Sequence, residues 1–178
     1  MPFCGEPLIE RVLRRTSGLA GEIILTVSQP GDLAFLGLPV VADLFPGKGP
    51  LGGLYTALLS AANPEVMVVA CDMPFANHRL LLAECDLLAA SQAGAVIPVS
   101  PFGFEPLHAV YRREVCLPAV KSALINGQLR LSSWFSNAQV RMMTLDEVAE
   151  IDPQFNAFIN VNSPAEFERA ESLARQIG

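Results

Sequence analysis

The feature that most constrains the fold of this chain is an unbroken apolar run of six residues, 66–71 (VMVVAC), followed at once by Asp72. Such a run is typical of a strand covered on both faces, as in the parallel sheet of an α/β protein. Pro74 ends it, because proline cannot donate a backbone hydrogen bond to a neighbouring strand. Open α/β sheets bind ligands at the carboxyl ends of such strands, so Asp72 is the first candidate site residue.

Strand-like and helix-like segments alternate along the rest of the chain. Strands are predicted at 22–28, 38–42, 94–99, 107–111 and 139–144. Helices are predicted from Pro7, at 54–61, at 77–91, at 112–126 in two pieces that divide at Pro118, at 145–150, and from a capping box at Ser163, Pro164 and Glu166. This alternation with short loops predicts one α/β domain with a doubly wound, mostly parallel sheet.

Composition narrows the class of protein further. The chain has 178 residues, 51% of them hydrophobic and 17% charged, which is typical of one compact domain. A net charge of −6 argues against a nucleic-acid partner, which would require a basic face. The longest apolar runs are too short for a membrane span and no signal-peptide pattern follows Met1, so we expect a cytoplasmic protein without a membrane partner. The four cysteines lack metal-ligand spacing, and Cys71 is expected to be a small buried residue.

Three further features gather at the same predicted sheet edge. Residues 26–28 and Asp43 end the two strands that precede the apolar run, and the Gly-rich stretch 47–53 leads into a helix. Glycines let backbone approach a ligand closely, and a helix N-terminus favours anionic groups. With two strand-end acids, this loop indicates a nucleotide bound with a metal ion. Two members of the set have plainer alternatives: Thr26 as an ordinary strand residue, and Lys48 as a solvated loop lysine.

Four stretches together resemble the molybdenum cofactor guanylyltransferases. They are GPLGG at 49–53, ACDMPF at 70–75, PLHAVY at 106–111 and FINVNSP at 158–164. The resemblance implies a Rossmann-like nucleotidyltransferase that transfers GMP from GTP to molybdopterin and releases pyrophosphate. It also implies GTP and molybdopterin as partners, with molybdoenzyme-maturation proteins as further ones.

The resemblance also implies roles for individual residues. It implies that Asp72 is the catalytic residue and would hold Mg²⁺. The residues implied in nucleotide binding are Thr26, Asp43, Gly49, Pro50, Leu51, Gly53 and Asp72. Asn160 and Asn162 are implied on the pterin side, with the alternative that they only shape the turn into the last helix. His108 is interpreted as a packing or hydrogen-bonding residue beside the sheet.

One expected element is missing from the sequence. Members of this family carry a pattern LAGGxSxRMGxDK after their first strand, and residues 1–12 resemble the segment on the C-terminal side of that loop. We therefore expect residues 1–178 to form an N-terminally truncated nucleotidyltransferase domain with weak or no transferase activity. The strands at 22–28 and 66–71 should then face each other across a gap. The alternatives are a related transferase that uses CTP or a sugar phosphate, and an inactive fragment that binds nucleotide or pterin.

Overall fold

The structure is a computed structural model that describes residues 2–28 and 33–177. Its strands are β1 (Pro2–Phe3), β2 (Glu6–Pro7), β3 (Leu25–Val27), β4 (Val40–Ala42), β5 (Glu65–Val69), β6 (Ala95–Ser100), β7 (Gly103–Phe104), β8 (His108–Arg112) and β9 (Val140–Met143). Its α-helices are α1 (Leu8–Arg15), α2 (Gly49–Ser60), α3 (His78–Ala89), α4 (Arg113–Ile125), α5 (Leu145–Ala149) and α6 (Pro164–Ile177). The predicted α/β class is confirmed.

The main sheet has five strands in the order β5-β8-β6-β7, and β9 pairs with β6. β6 and β9 are parallel, whereas β8 is antiparallel to both β5 and β6. The prediction of a parallel partner for the apolar run is therefore wrong within the described residues. β5, β6 and β9 still run in one direction, so the reversal lies in β8 and the short β7. The hairpin β1-β2 and the parallel pair β3-β4 form two small separate sheets.

A cavity of about 510 Å³ separates β3 from β5. Within residues 2–28 and 33–177, no backbone hydrogen bond joins these two strands. The cavity lining is mainly apolar and includes Val12 of α1, Leu25 of β3 and Met67 of β5. The expectation that these two strands face each other across a gap agrees with this geometry.

The hydrogen-bond pattern shows which groups of β5 face the cavity. Ala70 donates to Leu107 and Arg113 donates to Pro64, so the even-numbered residues of this strand exchange hydrogen bonds with β8. The backbone N–H and C=O of Met67 consequently point to the other edge, where the cavity lies. The same edge explains why residues 66–69 are only half-buried in spite of their apolar sequence.

Helices cover both faces of the main sheet and form two clusters of buried side chains. One cluster joins α2 and α4 to the sheet around the fully buried Trp134, and the other joins α3 and α5 to it around Leu80 and Val148. The predicted break at Pro118 is wrong, because α4 continues through it. Pro118 and Glu114, whose carbonyl loses its intrahelical partner, are both exposed to solvent. Within the described ranges, no helix is long and apolar enough to cross a membrane.

Candidate functional site

Asp72 lies just beyond the carboxyl end of β5, at the start of a segment, residues 72–77, whose middle four residues are buried. Its Oδ1 atom is buried and has no hydrogen-bond partner among the described residues. Loss of solvent raises the pKa of the Asp72 carboxyl group, and a hydrogen bond from its own backbone N–H opposes that rise. A buried carboxylate oxygen without a donor is suited to a cation or to a ligand that supplies one.

The carboxylate of Asp72 defines the kind of metal site that could form. The described part of the chain contains no group of three or more His, Cys, Asp and Glu side chains able to enclose a metal ion. Mg²⁺ is commonly held by one or two carboxylates together with substrate phosphates and water. Asp72 therefore fits a magnesium ion whose remaining ligands come from a bound nucleotide and water.

Helix α1 holds the 72–77 segment through two arginines. The Nε atom of Arg11 donates to the carbonyl oxygen of Pro74 at 3.0 Å, and that of Arg15 donates to Ala76 at 2.8 Å. The Arg11 guanidinium also lies over the rings of Phe3 and Phe75, at 5.0 and 5.7 Å from their centroids. Sequence reasoning missed these contacts. The only available signal was a pair of arginines four residues apart on one helix face.

The C-terminal segment joins Asp72 from the other side. Val161 donates its backbone N–H to the carbonyl oxygen of Asp72 at 3.0 Å, which places the exposed side chains of Asn160 and Asn162 next to this segment. The predicted cap of α6 forms at Ser163, but the reciprocal contact of the Glu166 side chain is made one residue earlier than expected. The Ser163 hydroxyl accepts from the Glu166 N–H as expected, but the Glu166 carboxylate accepts from the N–H of Asn162.

Asp43 is anchored to helix α2 beyond the carboxyl end of β4. Its backbone N–H donates to Val27 at 2.8 Å, which ties it to the end of β3. Its Oδ1 atom lies 2.8 Å from the hydroxyl of Thr56, a buried residue of α2. The same hydroxyl accepts a hydrogen bond from the N–H of Leu44 at 3.0 Å. The carboxylate of Asp43 is therefore fixed relative to α2 before any ligand binds.

The Gly-rich stretch is helical where a loop was expected. Helix α2 begins at Gly49, not at Leu54, so the free backbone N–H groups of its first turn belong to the GPLGG sequence. Gly49 and Pro50 are exposed and Gly53 is half-buried. Leu51 is fully buried in the core, so its side chain cannot touch a nucleotide. Only the backbone of Leu51 remains available for the predicted role.

Two further positions bear on the site, the predicted Thr26 and the overlooked Gly52. Thr26 lies in the middle of β3 opposite Val41, and no hydrogen bond in the described ranges links its side chain to Asp43 or Asp72. Gly52, which sequence reasoning did not select, allows the 43–48 loop to approach α2. A Cβ atom on Gly52 would lie 2.9 Å from the carbonyl oxygen of Phe45 and 3.3 Å from Oδ2 of Asp43.

Cys71 is exposed and lines the cavity, contrary to the prediction that it is buried. The physical reason is that β5 ends at Val69, so Cys71 has already left the sheet.

Comparison with known proteins shows which protein family the chain resembles. Residues 1–142 match the family described as the MobA-like NTP transferase domain. The probable molybdenum cofactor guanylyltransferase of Carboxydothermus hydrogenoformans is 32% identical over 175 residues, which cover 95% of this chain and 84% of the relative. The molybdenum cofactor guanylyltransferase of Desulfosudis oleivorans is 27% identical over 171 residues, which cover 96% and 84%.

Two solved structures share the fold. Molybdopterin-guanine dinucleotide biosynthesis protein A from Archaeoglobus fulgidus matches with a TM-score of 0.84 at 23% identity, covering 99% of this chain and 89% of that one. The 2-C-methyl-D-erythritol 4-phosphate cytidylyltransferase from Thermus thermophilus matches with a TM-score of 0.67 at 20% identity, covering 96% and 90%.

The fold and the family match together define a nucleotidyltransferase. The family match spans most of the chain, and the relative from Carboxydothermus hydrogenoformans is more than 30% identical across nearly all of it. The chain belongs to the MobA-like NTP transferase family.

Proposed function

We propose that this chain transfers GMP from GTP to molybdopterin. An oxygen of the terminal phosphate of molybdopterin attacks the α-phosphorus of GTP, the bond from that phosphorus to the bridging oxygen breaks, and pyrophosphate leaves. The observation that carries the proposal is the match to relatives named as molybdenum cofactor guanylyltransferases. The match covers at least 95% of the chain, so it includes most or all of the Asp72 segment and of α2. Delivery of the product to molybdoenzyme-maturation proteins is part of the same proposal.

The proposed role of each residue follows from its position in the site. Asp72 would hold Mg²⁺ through its unpartnered oxygen, and the ion would supply charge neutralisation at the phosphates. The N-terminal turn of α2 presents backbone N–H groups toward an anion, with the Lys48 side chain adjacent. Asp43 and Thr26 would lie on the nucleotide side of the site, and Asn160 and Asn162 on the pterin side. Positioning and charge stabilisation are the main requirements of phosphoryl chemistry, so no covalent intermediate on the protein is needed.

The test is pyrophosphate release by the purified chain in the presence of Mg²⁺, molybdopterin and either GTP or CTP. We expect weak turnover with GTP and less with CTP. Asp72→Asn should lower turnover by roughly a hundredfold or more, because it removes a charge from the metal site. Asp86→Asn, an exposed substitution on α3, is the matched control and should stay within about twofold of wild type.

Binding supplies a second readout that does not need turnover. Calorimetric titration of the chain with GTP should show an affinity that rises with Mg²⁺ in the wild type and in Asp86→Asn but not in Asp72→Asn. A preference for CTP over GTP would instead favour the alternative that the chain is a cytidylyltransferase. Binding of GTP without pyrophosphate release would favour the non-catalytic alternative, and equal activity of Asp72→Asn and wild type would refute the role of Asp72.

A further inference from the structure

A fully buried pair of polar side chains lies directly behind the Asp72 segment. His108, the first residue of β8, and Glu84 of α3 are both completely removed from solvent, and Nδ1 of the imidazole lies 2.9 Å from Oε1 of the carboxylate. The ring of Phe158 packs edge-on against the imidazole, with the centroids 5.4 Å apart. This pair belongs to no part of the site described above.

The hydrogen bonds of His108 fix its tautomer. The backbone N–H of Asn77 donates to Nε2 of the imidazole at 3.1 Å. Because a backbone N–H can only donate, Nε2 must carry a lone pair and the ring proton must lie on Nδ1, where it is donated to Glu84. The Oε1 atom of Glu84 can accept this hydrogen bond whether the carboxyl group is ionised or neutral.

Asn77 connects this pair to Asp72. It terminates the 72–77 segment and caps α3, with its Oδ1 accepting from the N–H of Arg79 at 3.0 Å and of Leu80 at 3.3 Å. The segment is thus held at its start by Val161, along its length by α1, and at its end by His108. A displacement at Asn77 would be transmitted to a segment of six residues that carries the metal-binding carboxylate.

Burying this ionisable pair costs folding free energy, so stability alone does not explain why the two residues are polar. The Oε2 atom of Glu84 is buried and finds no partner in the described part of the chain. Well-packed apolar residues in place of a buried ionisable pair are often neutral or stabilising. An apolar pair would fill the space but would offer no acceptor to the Asn77 N–H.

We propose that His108, oriented by Glu84, is a positioning residue for nucleotidyl transfer, because its Nε2 atom fixes the segment that carries Asp72. The inference rests on the function proposed above. Because His108 is fully buried, it acts through the backbone of Asn77 and not by direct contact with a ligand.

The first experiment separates positioning from packing with the double variant His108→Phe/Glu84→Leu, which keeps an apolar core of similar volume. We expect a melting temperature within a few degrees of wild type, together with a fall in kcat of roughly ten- to hundredfold, the loss that a misplacement of about 1 Å can cause. A folded double variant with the kcat of wild type would overturn the proposal.

A matched pair of polar variants covers the case in which the double variant does not fold. The longer amide of His108→Gln can place an acceptor near the Asn77 N–H, whereas His108→Asn reaches Glu84 but falls short of Asn77. We expect His108→Gln to retain kcat within about threefold and His108→Asn to lose about as much as the double variant. Equal kcat values for the two variants would also overturn the proposal.

Hydrogen exchange distinguishes failure of this inference from failure of the proposed function. The Asn77 amide should be protected in the wild type and in His108→Gln, and should exchange at least tenfold faster in His108→Asn. A wild type that releases no pyrophosphate would refute the proposed function, and the exchange rates would then decide the positioning role alone. Unchanged protection in His108→Asn would refute it.

Discussion

The hydroxyl group of Thr56 lies 2.8 Å from Oδ1 of Asp43, across the interface between α2 and the end of β4. It also accepts a hydrogen bond from the N–H of Leu44 at 3.0 Å, so one buried hydroxyl satisfies a carboxylate and a backbone donor together. Thr56 is completely buried, and its contacts hold the loop that enters α2 against the helix itself. The orientation of Asp43 is therefore a property of α2 as much as of β4.

Thr56→Val tests this arrangement. Valine keeps the shape of threonine but removes the hydroxyl, which leaves the Leu44 N–H and the Asp43 carboxylate without their partner. We expect the free energy of unfolding to fall by about 1–3 kcal/mol, measured by urea denaturation. Thr56→Ser retains the hydroxyl and should recover most of the loss of hydrogen bonding. Equal stability of Thr56→Val and wild type would show that the hydroxyl contributes nothing.

The two internal glycines of α2 should respond in opposite directions to alanine. In Gly52→Ala the new Cβ would meet the carbonyl oxygen of Phe45 at 2.9 Å, which forces the loop away from the helix. We expect a loss of about 1–3 kcal/mol in spite of the better helix propensity of alanine. In Gly53→Ala the Cβ meets no atom within 4 Å, so a gain of roughly 0.5–1 kcal/mol is expected. Thermal melts of the two variants check the contrast, which a common direction of change would contradict.

Glu84 should make the protein less stable as the pH rises toward neutrality. Burial raises the pKa of its carboxyl group from 4.5 to about 7, although the neighbouring His108 opposes the shift. The folded state thus binds the proton more tightly than the unfolded state. The resulting stabilisation is complete below pH 4.5 and is lost as the pH rises through about 7, and its size is on the order of 3 kcal/mol.

Glu84→Gln isolates this effect, because the amide cannot ionise but keeps an oxygen that can accept from His108. Stability should be measured for both proteins between pH 4.5 and about 7. We expect the wild type to lose stability relative to Glu84→Gln over that range. Parallel stability curves would mean that Glu84 does not titrate there.

The backbone of β5 should show alternating protection from hydrogen exchange. Val66 and Val68 exchange hydrogen bonds with β8, whereas the N–H of Met67 points to the cavity edge. We expect the Met67 amide to exchange roughly tenfold or more faster than those of its two neighbours, as measured by NMR. Equal protection of the three amides would mean that another group pairs with this edge of the strand.

The sequence alone determined the features that depend on local patterns. The apolar run before Asp72, the strand before Asp43 and the acid-rich helix α5 follow from residue type and spacing, and the structure contains all three. The family could likewise be inferred from four short stretches, because their combination and order are specific even though each stretch is common. The position of Asp72 directly after an apolar strand needed no information about distant residues.

The tertiary structure decided which residues meet. Leu51 lies in the stretch implied to bind nucleotide, yet its side chain faces the core, because α2 begins at Gly49 and rotates it inward. Val161 reaches Asp72, and His108 reaches both Glu84 and Asn77, across long separations in the chain. The antiparallel insertion of β8 brings His108 behind the Asp72 segment. Sequence spacing predicts the face or end of an element on which a residue lies, whereas contacts between elements depend on packing and strand order, which no local pattern encodes.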